Sequence, residues 1–392
     1  MIKYIKTKAA DAGCGCRACE QICPKQALTM VADEEGFLYP SLDETRCVEC
    51  GLCDRVCPVE HRPEGYSNIE VYALQHKDEA ILADSSSGGA FRLLADAVIA
   101  RGGCVVGCVW NEEGHPVLRV AETAEELIPM QGSKYLFSDT ESVYRQVKER
   151  LAAGQTVLFT GAPCQCAALL NFLGRPYENL YTADFLCHGM PSWQAFDSYV
   201  DSLRKQYGSS VSDFKFRDKS KRGWGLAFSF KHKRKKHVNV GQTDEYQYAF
   251  TKGYLNRYTC YSCPFRGEKR FTDFTFCDYW GIEQFHPQIE REKGVSALSV
   301  NSEKAAAMKA TLGDATFERT EAESVAKENA SLLHPHKEEI PVLRRTVYAQ
   351  IKERGWRATA RKHFRVKHRA LRRIYYAAPR RLVKMAKKCL GR

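Results

Sequence analysis

The sequence has no long hydrophobic run. Its longest stretch without charge, Leu151 to Gly174, is interrupted by Gln155, Gly161, Pro163, Gln165 and Asn171, which fits strand, turn and buried helix rather than a bilayer-crossing helix. The chain therefore reads as soluble. The first ten residues carry Lys3, Lys6 and Lys8 and no apolar core, so a secretory signal is not expected there. A cytoplasmic setting follows as the expectation, with thiols kept reduced and available to metal. Acid is scarce in one region only: Pro341 to Arg392 holds 18 Lys and Arg against one acid, a net +17, which leaves residues 1–340 at −5 of the total +12. Nor is there an isolated acid–base pair that can be assigned to a substrate. With 392 residues, 44% apolar and 27% charged, disorder and fibrous structure are excluded and two or three domains are expected.

Cysteine is what the chain has in excess. Of 17 cysteines, eight lie between Cys14 and Cys57, too many for packing and in the wrong context for a secreted disulfide scaffold. Composition divides the chain into a Cys-rich segment 1–62, a body 68–340 behind the polar linker His61-Arg62-Pro63-Glu64-Gly65, and a basic tail 341–392. The body alternates helical and apolar strand patterns, which predicts an α/β domain on a largely parallel sheet, α+β overall with the Cys-rich head. Phe91, Leu94, Ala95 and Val98 predict a helix over 88–100 with Ser87 as its N-cap, followed by a strand at Cys104–Trp110. Helices over 141–153 and 166–173 and buried strands over 156–160 and 181–186 follow. Cys164 and Cys187 then fall just past the carboxyl ends of two strands, where open α/β sheets place ligands.

Cys47-x-x-Cys50-x-x-Cys53-x-x-x-Cys57-Pro58 is the bacterial iron–sulfur run, in which three close thiolates hold one cubane and the fourth holds its neighbour. Its partner is Cys16-x-x-Cys19-x-x-x-Cys23-Pro24, with Cys14 in front and Gly13 where the regular spacing would put a thiol. The crossed arrangement assigns Cys47, Cys50, Cys53 and Cys23 to one [4Fe-4S] cluster. It assigns Cys16, Cys19, Cys57 and Cys14 to the other, on a loop tightened by Gly13 and Gly15. Zinc is the alternative, since Cys-x-x-Cys pairs also hold a tetrahedral ion, but two runs each ending in Cys-Pro match the two-cluster pattern better. Without Cys14 the second site becomes a three-iron or labile one.

Further along come Ser86-Ser87-Gly88-Gly89-Ala90-Phe91, Gly132-Ser133-Lys134-Tyr135, Gly161-Ala162-Pro163-Cys164-Gln165, Cys187-His188-Gly189, Phe216-Arg217-Asp218-Lys219, Cys260-Tyr261-Ser262-Cys263-Pro264 and Asp278-Tyr279-Trp280-Gly281. With these motifs, the chain from roughly Ala9 to Ile282 resembles the beta subunits of coenzyme F-420 hydrogenase and dehydrogenase, in the form with an N-terminal two-cluster ferredoxin domain. The resemblance implies a two-[4Fe-4S] ferredoxin-like domain joined to an α/β flavin-binding domain that holds FAD. It also implies a third cubane on Cys164, Cys187, Cys260 and Cys263; buried core thiols are the competing reading for the first two. Cys166 and Cys277 depart from the family pattern and, like Cys104 and Cys108, read as packing.

A flavin converts between single electrons and hydride, which cubanes alone do not. Ser87, Gly88 and Gly89 at a helix start suit its pyrophosphate, or simply cap and pack. Ser133, Lys134 and Tyr135 supply a cation and an aromatic beside phosphate or ring, or in the case of Lys134 only a solvated charge. His188 either donates a proton or hydrogen-bonds a cluster sulfur. Asp278 either orients the flavin or caps a turn before Trp280. The basic run Lys215 to Lys236 reads as an exposed hairpin with a charged edge, an anionic substrate site being the other option. In the tail, Leu371, Ile374, Tyr375, Ala378 and then Leu382, Met385, Ala386, Cys389 have helical spacing, giving two basic amphipathic helices that lie on an anionic membrane face or dock on the acidic body. Nucleic acid is not expected, because no aromatic or motif pattern accompanies the charge.

The sequence thus predicts an iron–sulfur flavoprotein oxidoreductase. Electrons are expected to pass from ferredoxin or another redox protein through the head clusters, a third cluster and FAD to a small two-electron acceptor, coenzyme F-420 being one candidate. The rivals are a non-catalytic relay subunit and a reductase of a sugar- or isoprenoid-linked intermediate at the inner membrane face.

Overall fold

A computed structural model describes residues 1–66, 69–267, 269–334 and 336–364. The head holds three short helices, α1 (Lys3–Thr7), α2 (Ala18–Ile22) and α3 (Leu52–Arg55), and the hairpin β1 (Leu28–Ala32) and β2 (Leu38–Leu42). Both cysteine runs turn through a left-handed residue just before a helix, Arg17 at φ 58° before α2 and Gly51 at φ 73° before α3. Glycine adopts that conformation freely, whereas arginine does not. Arg17 is held in it by Asp139 at 2.5 and 2.7 Å and by Glu20 at 2.6 Å.

The body is built on an eight-stranded sheet, formed by β3 (Glu70–His76), β4 (Cys104–Trp110), β5 (Pro116–Ala121), β6 (Val157–Thr160), β7 (Leu180–Phe185), and, after a long excursion described below, β11 (Phe274–Asp278), β12 (Ser296–Val300) and β13 (Ala315–Thr320). Their order is β13-β3-β12-β11-β7-β6-β4-β5. Only the centre, β4-β6-β7-β11, is parallel, and the outer pairs are antiparallel. The expectation of a largely parallel sheet is corrected accordingly. The parallel strands need helical crossovers, while β12, β3 and β13 pair in the opposite sense beside them.

Helices α4 (Glu79–Asp84), α5 (Ala90–Ile99), α6 (Val143–Ala152) and α7 (Pro163–Leu173) flank this sheet. α5 buries Leu93, Leu94 and Val98 against Val105, Leu158 and Ala183 on one face. α6 and α7 bury Tyr144, Val147 and Leu169 against Val106 and Phe159 on the other. Adjacent residues of β4 and β6 thus serve opposite cores, which is why all four residues of β6 are buried. α5 does not start at Ser87: its N-cap is Gly89 at φ 88°, and Ser87 Oγ instead donates to the Val295 carbonyl at 2.7 Å. Pro163 opens α7, the Gln165 side chain accepts from Ala162 N–H at 3.0 Å, and Gly174 at φ 68° closes it.

Between β7 and β11 lie α8 (Trp193–Tyr207), the antiparallel sheet β8 (Val211–Lys215), β9 (Ala227–His232), β10 (Lys235–Val240), and α9 (Glu245–Thr251). α10 (Glu303–Lys309), α11 (Ala322–Leu333) and α12 (Glu339–His363) follow. Aromatic residues Phe196, Tyr199, Phe228 and Tyr246 pack with Tyr348 and Trp356 of α12 in one core.

Two sequence boundaries look different in space. The head is fused to the body: Thr140 Oγ1 donates to the Cys16 carbonyl at 2.8 Å, Arg145 Nε donates to the Gln21 carbonyl at 2.7 Å, and Cys14, Cys16, Ala18 and Val56 share a core with Tyr144 and Phe172. The basic segment taken from 341 begins inside α12, whose Arg344 pairs with Glu35 and Lys352 with Glu34 at the tip of the head hairpin. That half of the tail docks on the body. The helical spacing at 371–389 lies outside the described residues.

Candidate functional site

The four head cysteines predicted to form the outer set come together in space. Cys23, Cys47, Cys50 and Cys53 line one cavity of about 320 Å³ together with Lys6 and Lys25, and Cys50 is exposed. Of the other four, Cys14 and Cys16 are buried. Burial raises the Cys19 thiol, with Cys57 and Cys53 as neighbouring charges, and pushes Cys57 up to about 12 with Cys14 beside it. The neighbouring thiols of Cys16 and Cys164 hold Cys14 well below the usual thiol range, while Cys16 and Cys164 are themselves pushed up.

Cys164 sits at the second position of α7 and Cys187 two residues past β7. These adjacent parallel strands bring the two together as the sequence predicts. Cys260 ends a single 3-10 turn, Tyr258–Cys260, and Cys263 follows. All four line a second, tight cavity of about 40 Å³, joined there by Cys14 and by Arg257, Arg266 and Arg270. Burial pushes Cys187 to about 12 and Cys260 to about 11. Among the described residues no group of three or more Cys, His, Asp and Glu closes on a single metal ion; Cys23, Cys47, Cys50 and Cys53 line one cavity instead, and Cys164, Cys187, Cys260 and Cys263 another. Four-iron cubes carry one thiolate at each iron, and rings of four cysteines fit that demand.

A third cavity of about 420 Å³ opens beside the second, within the size range of organic cofactor sites. It gathers the predicted Ser87, Gly89, Ser133, Lys134, Tyr135 and Asp278 from three parts of the chain. Leu186, Cys187, Gly189 and Met190 line both the second cavity and this one. His188 faces it too, pushed down to about 4 chiefly by burial, and its Nε2 has no partner among the described residues.

Three site residues act differently from expectation. Gly88 is not in the wall. Its N–H donates to Ser296 Oγ at 2.9 Å, and an added Cβ would sit 2.5 Å from Ser296 N and closer still to the Leu74 carbonyl, so glycine there permits close packing. Lys134 Nζ turns back to donate to the carbonyls of Pro129 at 3.1 Å and Gly132 at 3.2 Å, and burial lowers its pKa. Asp278 is engaged by Arg217 through two bonds of 2.6 and 3.0 Å, and by Trp224 Nε1 at 3.1 Å.

Arg217 and Lys219, read within an exposed basic hairpin, are the residues missed. Lys231, Lys233 and Lys235 do lie on the exposed β9–β10 hairpin. Arg217 is buried, stacks over Trp280 at 5.1 Å and donates to Tyr135 Oη at 3.1 Å. Lys219 Nζ donates to the carbonyls of Leu82, Ser87 and Lys293 at 2.6 to 2.7 Å, while burial pulls its pKa down to about 7. The alternation of β8 into Phe216-Arg217-Asp218-Lys219 was the available signal, since these residues precede the hairpin. Cys104 and Cys166 are core thiols as expected, whereas Cys108 and Cys277 line the large cavity because their strands end at it.

Two segments of the chain match known protein families. Residues 154–325 match the C-terminal region of the beta subunits of coenzyme F420 hydrogenase/dehydrogenase, and residues 14–61 match the 4Fe-4S dicluster domain. One curated relative, a subunit of the F(420)H(2) dehydrogenase of Methanosarcina mazei, is 27% identical over 173 residues, 40% of this chain and 47% of that protein. The chain thus spans about half the length of the curated relative it matches. A solved structure, the F420-reducing [NiFe] hydrogenase complex of Methanosarcina barkeri, has a chain aligning at TM-score 0.46 and 18% identity over 74% of this chain and 94% of its own. Residues 154–325 thus carry the C-terminal region of coenzyme F420 hydrogenase/dehydrogenase beta subunits by similarity, and residues 14–61 a 4Fe-4S dicluster domain.

Proposed function

We propose that this protein is an iron–sulfur flavoenzyme that carries electrons from a one-electron donor through three [4Fe-4S] clusters to FAD and on to a two-electron acceptor. Cys23, Cys47, Cys50 and Cys53 hold the outer cluster, and the exposure of Cys50 suits delivery from ferredoxin or a similar redox protein. Cys14, Cys16, Cys19 and Cys57 hold the inner one, and Cys164, Cys187, Cys260 and Cys263 the third. Bound in the large cavity, FAD supplies the exchange between single electrons and hydride.

The observation that carries this reading is the sharing of walls. Cys14 belongs to the inner set yet lines the cavity of the third, and Cys187 of the third set lines the large cavity. With Cys53 of the outer set beside Cys19 of the inner one, the residues adjoin in series from an exposed cysteine to a site of organic-cofactor size. Gly89 and Ser87 frame the α5 start, Ser133 N–H and hydroxyl bond Ser86 Oγ at 2.7 and 2.9 Å to shape the adjoining wall, and Tyr135 and Trp280 offer ring faces. Lys134 and Asp278 serve by fixing backbone carbonyls and Arg217.

A deazaflavin such as coenzyme F420 is the acceptor class proposed, by analogy with the relative's activity. The relay-subunit reading is favoured by one fact, that the curated relative is itself one subunit of a dehydrogenase. Among the described residues no helix is long and apolar enough to cross a membrane. Contact with an anionic membrane face is proposed only for residues 365–392, with 11 Lys and Arg and no acid.

Stopped-flow mixing of anaerobic protein with reduced ferredoxin tests the path. Bleaching of the flavin band should be fast in the wild type and slowed at least tenfold in Cys187→Ala. Equal rates would refute the series, and turnover of acceptors only after addition of another subunit would favour the relay.

A further inference from the structure

The segment joining the head to the third cysteine set contains a buried cation with no carboxylate partner among the described residues. Arg257 is 1% exposed. Its Nη1 donates to the Gly13 carbonyl at 3.0 Å and its Nη2 to the Leu38 carbonyl at 2.9 Å, while Nε–H has no partner among the described residues. The guanidinium lies over the rings of Tyr39 at 4.5 Å and Phe37 at 5.0 Å. Neutral carbonyls and ring faces do not cancel a full charge, and leaving one uncompensated in the interior is strongly unfavourable. The cavity beside it is lined by five cysteines, Cys14, Cys164, Cys187, Cys260 and Cys263. A thiolate-bound cluster there is the anion the guanidinium lacks.

The same side chain shapes the loop that carries Cys14. Gly13 O accepts from Arg257 and also from Thr259 Oγ1 at 2.6 Å. Gly15 takes φ 77°, and a Cβ on it would meet Arg257 Nη2 at 2.7 Å. The irregular Gly13-Cys14-Gly15-Cys16 spacing is therefore fitted to this guanidinium, and the fit leaves Cys14 in the wall of the cavity that Cys164 also lines.

We propose that Arg257 is the positioning residue of the junction between the inner and third clusters. Its charge raises the reduction potential of the third cluster, and its fork holds Cys14 against Cys164 so that electrons cross there. This rests on the reading of Cys164, Cys187, Cys260 and Cys263 as a cluster site. Reduction adds one negative charge, which a nearby buried cation favours, so removing the cation must lower the potential.

The test is a potentiometric titration of anaerobically purified full-length protein followed by electron paramagnetic resonance, with the third cluster's signal identified as the one lost in Cys187→Ala. In Arg257→Gln that signal should shift to a more negative potential by at least the equivalent of tenfold in the one-electron equilibrium, 59 mV, at unchanged iron content. Arg257→Lys should recover most of the shift, and Thr259→Val, which removes only the neutral donor, should not move it. If Arg257→Gln does not retain its iron, Arg257→Lys decides: a full iron complement with a potential near that of the wild type supports the proposal, and loss of the third cluster despite the retained charge overturns it. Three unchanged potentials in a fully loaded Arg257→Gln protein overturn it too. Absence of a third signal from the wild type would instead overturn the cluster reading beneath it.

Discussion

The Arg217–Asp278 pair gives the sharpest energetic test of the large cavity. The Arg217 side chain is 4% exposed and that of Asp278 18%, and the two share bonds of 2.6 and 3.0 Å. Removing one member of a buried pair leaves the other charge uncompensated, at about 3–5 kcal/mol. Partial exposure of Asp278 places Arg217→Met near the lower end, about 3 kcal/mol, and Asp278→Asn should cost a similar amount by stranding the guanidinium. Because each single change includes the penalty of the stranded partner, the double variant should cost about 2 kcal/mol less than the sum. Trp224 and Trp280, stacked at 4.3 Å beside the pair, report on it. Unfolding in urea followed by tryptophan fluorescence under anaerobic conditions should quicken about a hundredfold in each single variant. In the double variant it should be at least tenfold slower than the product of the two effects. Unfolding rates that simply multiply would refute the claim that these groups neutralise each other.

Other outcomes follow from the same structure. Gly88→Ala forces a methyl onto Ser296 N and the Leu74 carbonyl, and overpacking of this kind costs about 1–3 kcal/mol; a lowered urea midpoint with reduced flavin content is expected, and an unchanged midpoint would contradict it. The Lys219 pKa of about 7 lies below the free value of 10.5, so the unfolded chain binds the proton more tightly and this group adds stability as pH rises from about 7 toward 10.5. Lys219→Met should therefore flatten the urea midpoint against pH over that window, by on the order of 1 kcal/mol per pH unit; parallel curves would contradict it. Sedimentation with anionic vesicles at low salt should be lost when residues 365–392 are deleted, and equal binding by the truncated protein would rule out a membrane role for them.

Much of the site was legible because cluster ligation imposes spacing on sequence. The two Cys-Pro runs predicted that Cys23 would meet Cys47, Cys50 and Cys53, and the strand ends predicted that Cys164 would meet Cys187, and each group lines one cavity. What sequence did not reveal depends on contacts between distant segments. The burial of Arg217 requires Asp278 from β11 and Trp280 beyond it, 61 residues away for the acid. Gly88 looked like part of a phosphate loop, yet its wall is the Leu74 carbonyl and Ser296 of two other strands. In the basic tail charge dominates the composition and left membrane contact and docking on the body both open; Tyr348, Ile351 and Trp356, on either side of a break at Gly355, are buried in the second core.

The central claim is tested most directly by iron, sulfide and flavin analysis of anaerobically purified protein. Three cubanes predict about 12 irons and as many sulfides per chain, with one FAD. Zinc in place of iron, about eight irons, or no flavin would contradict the account.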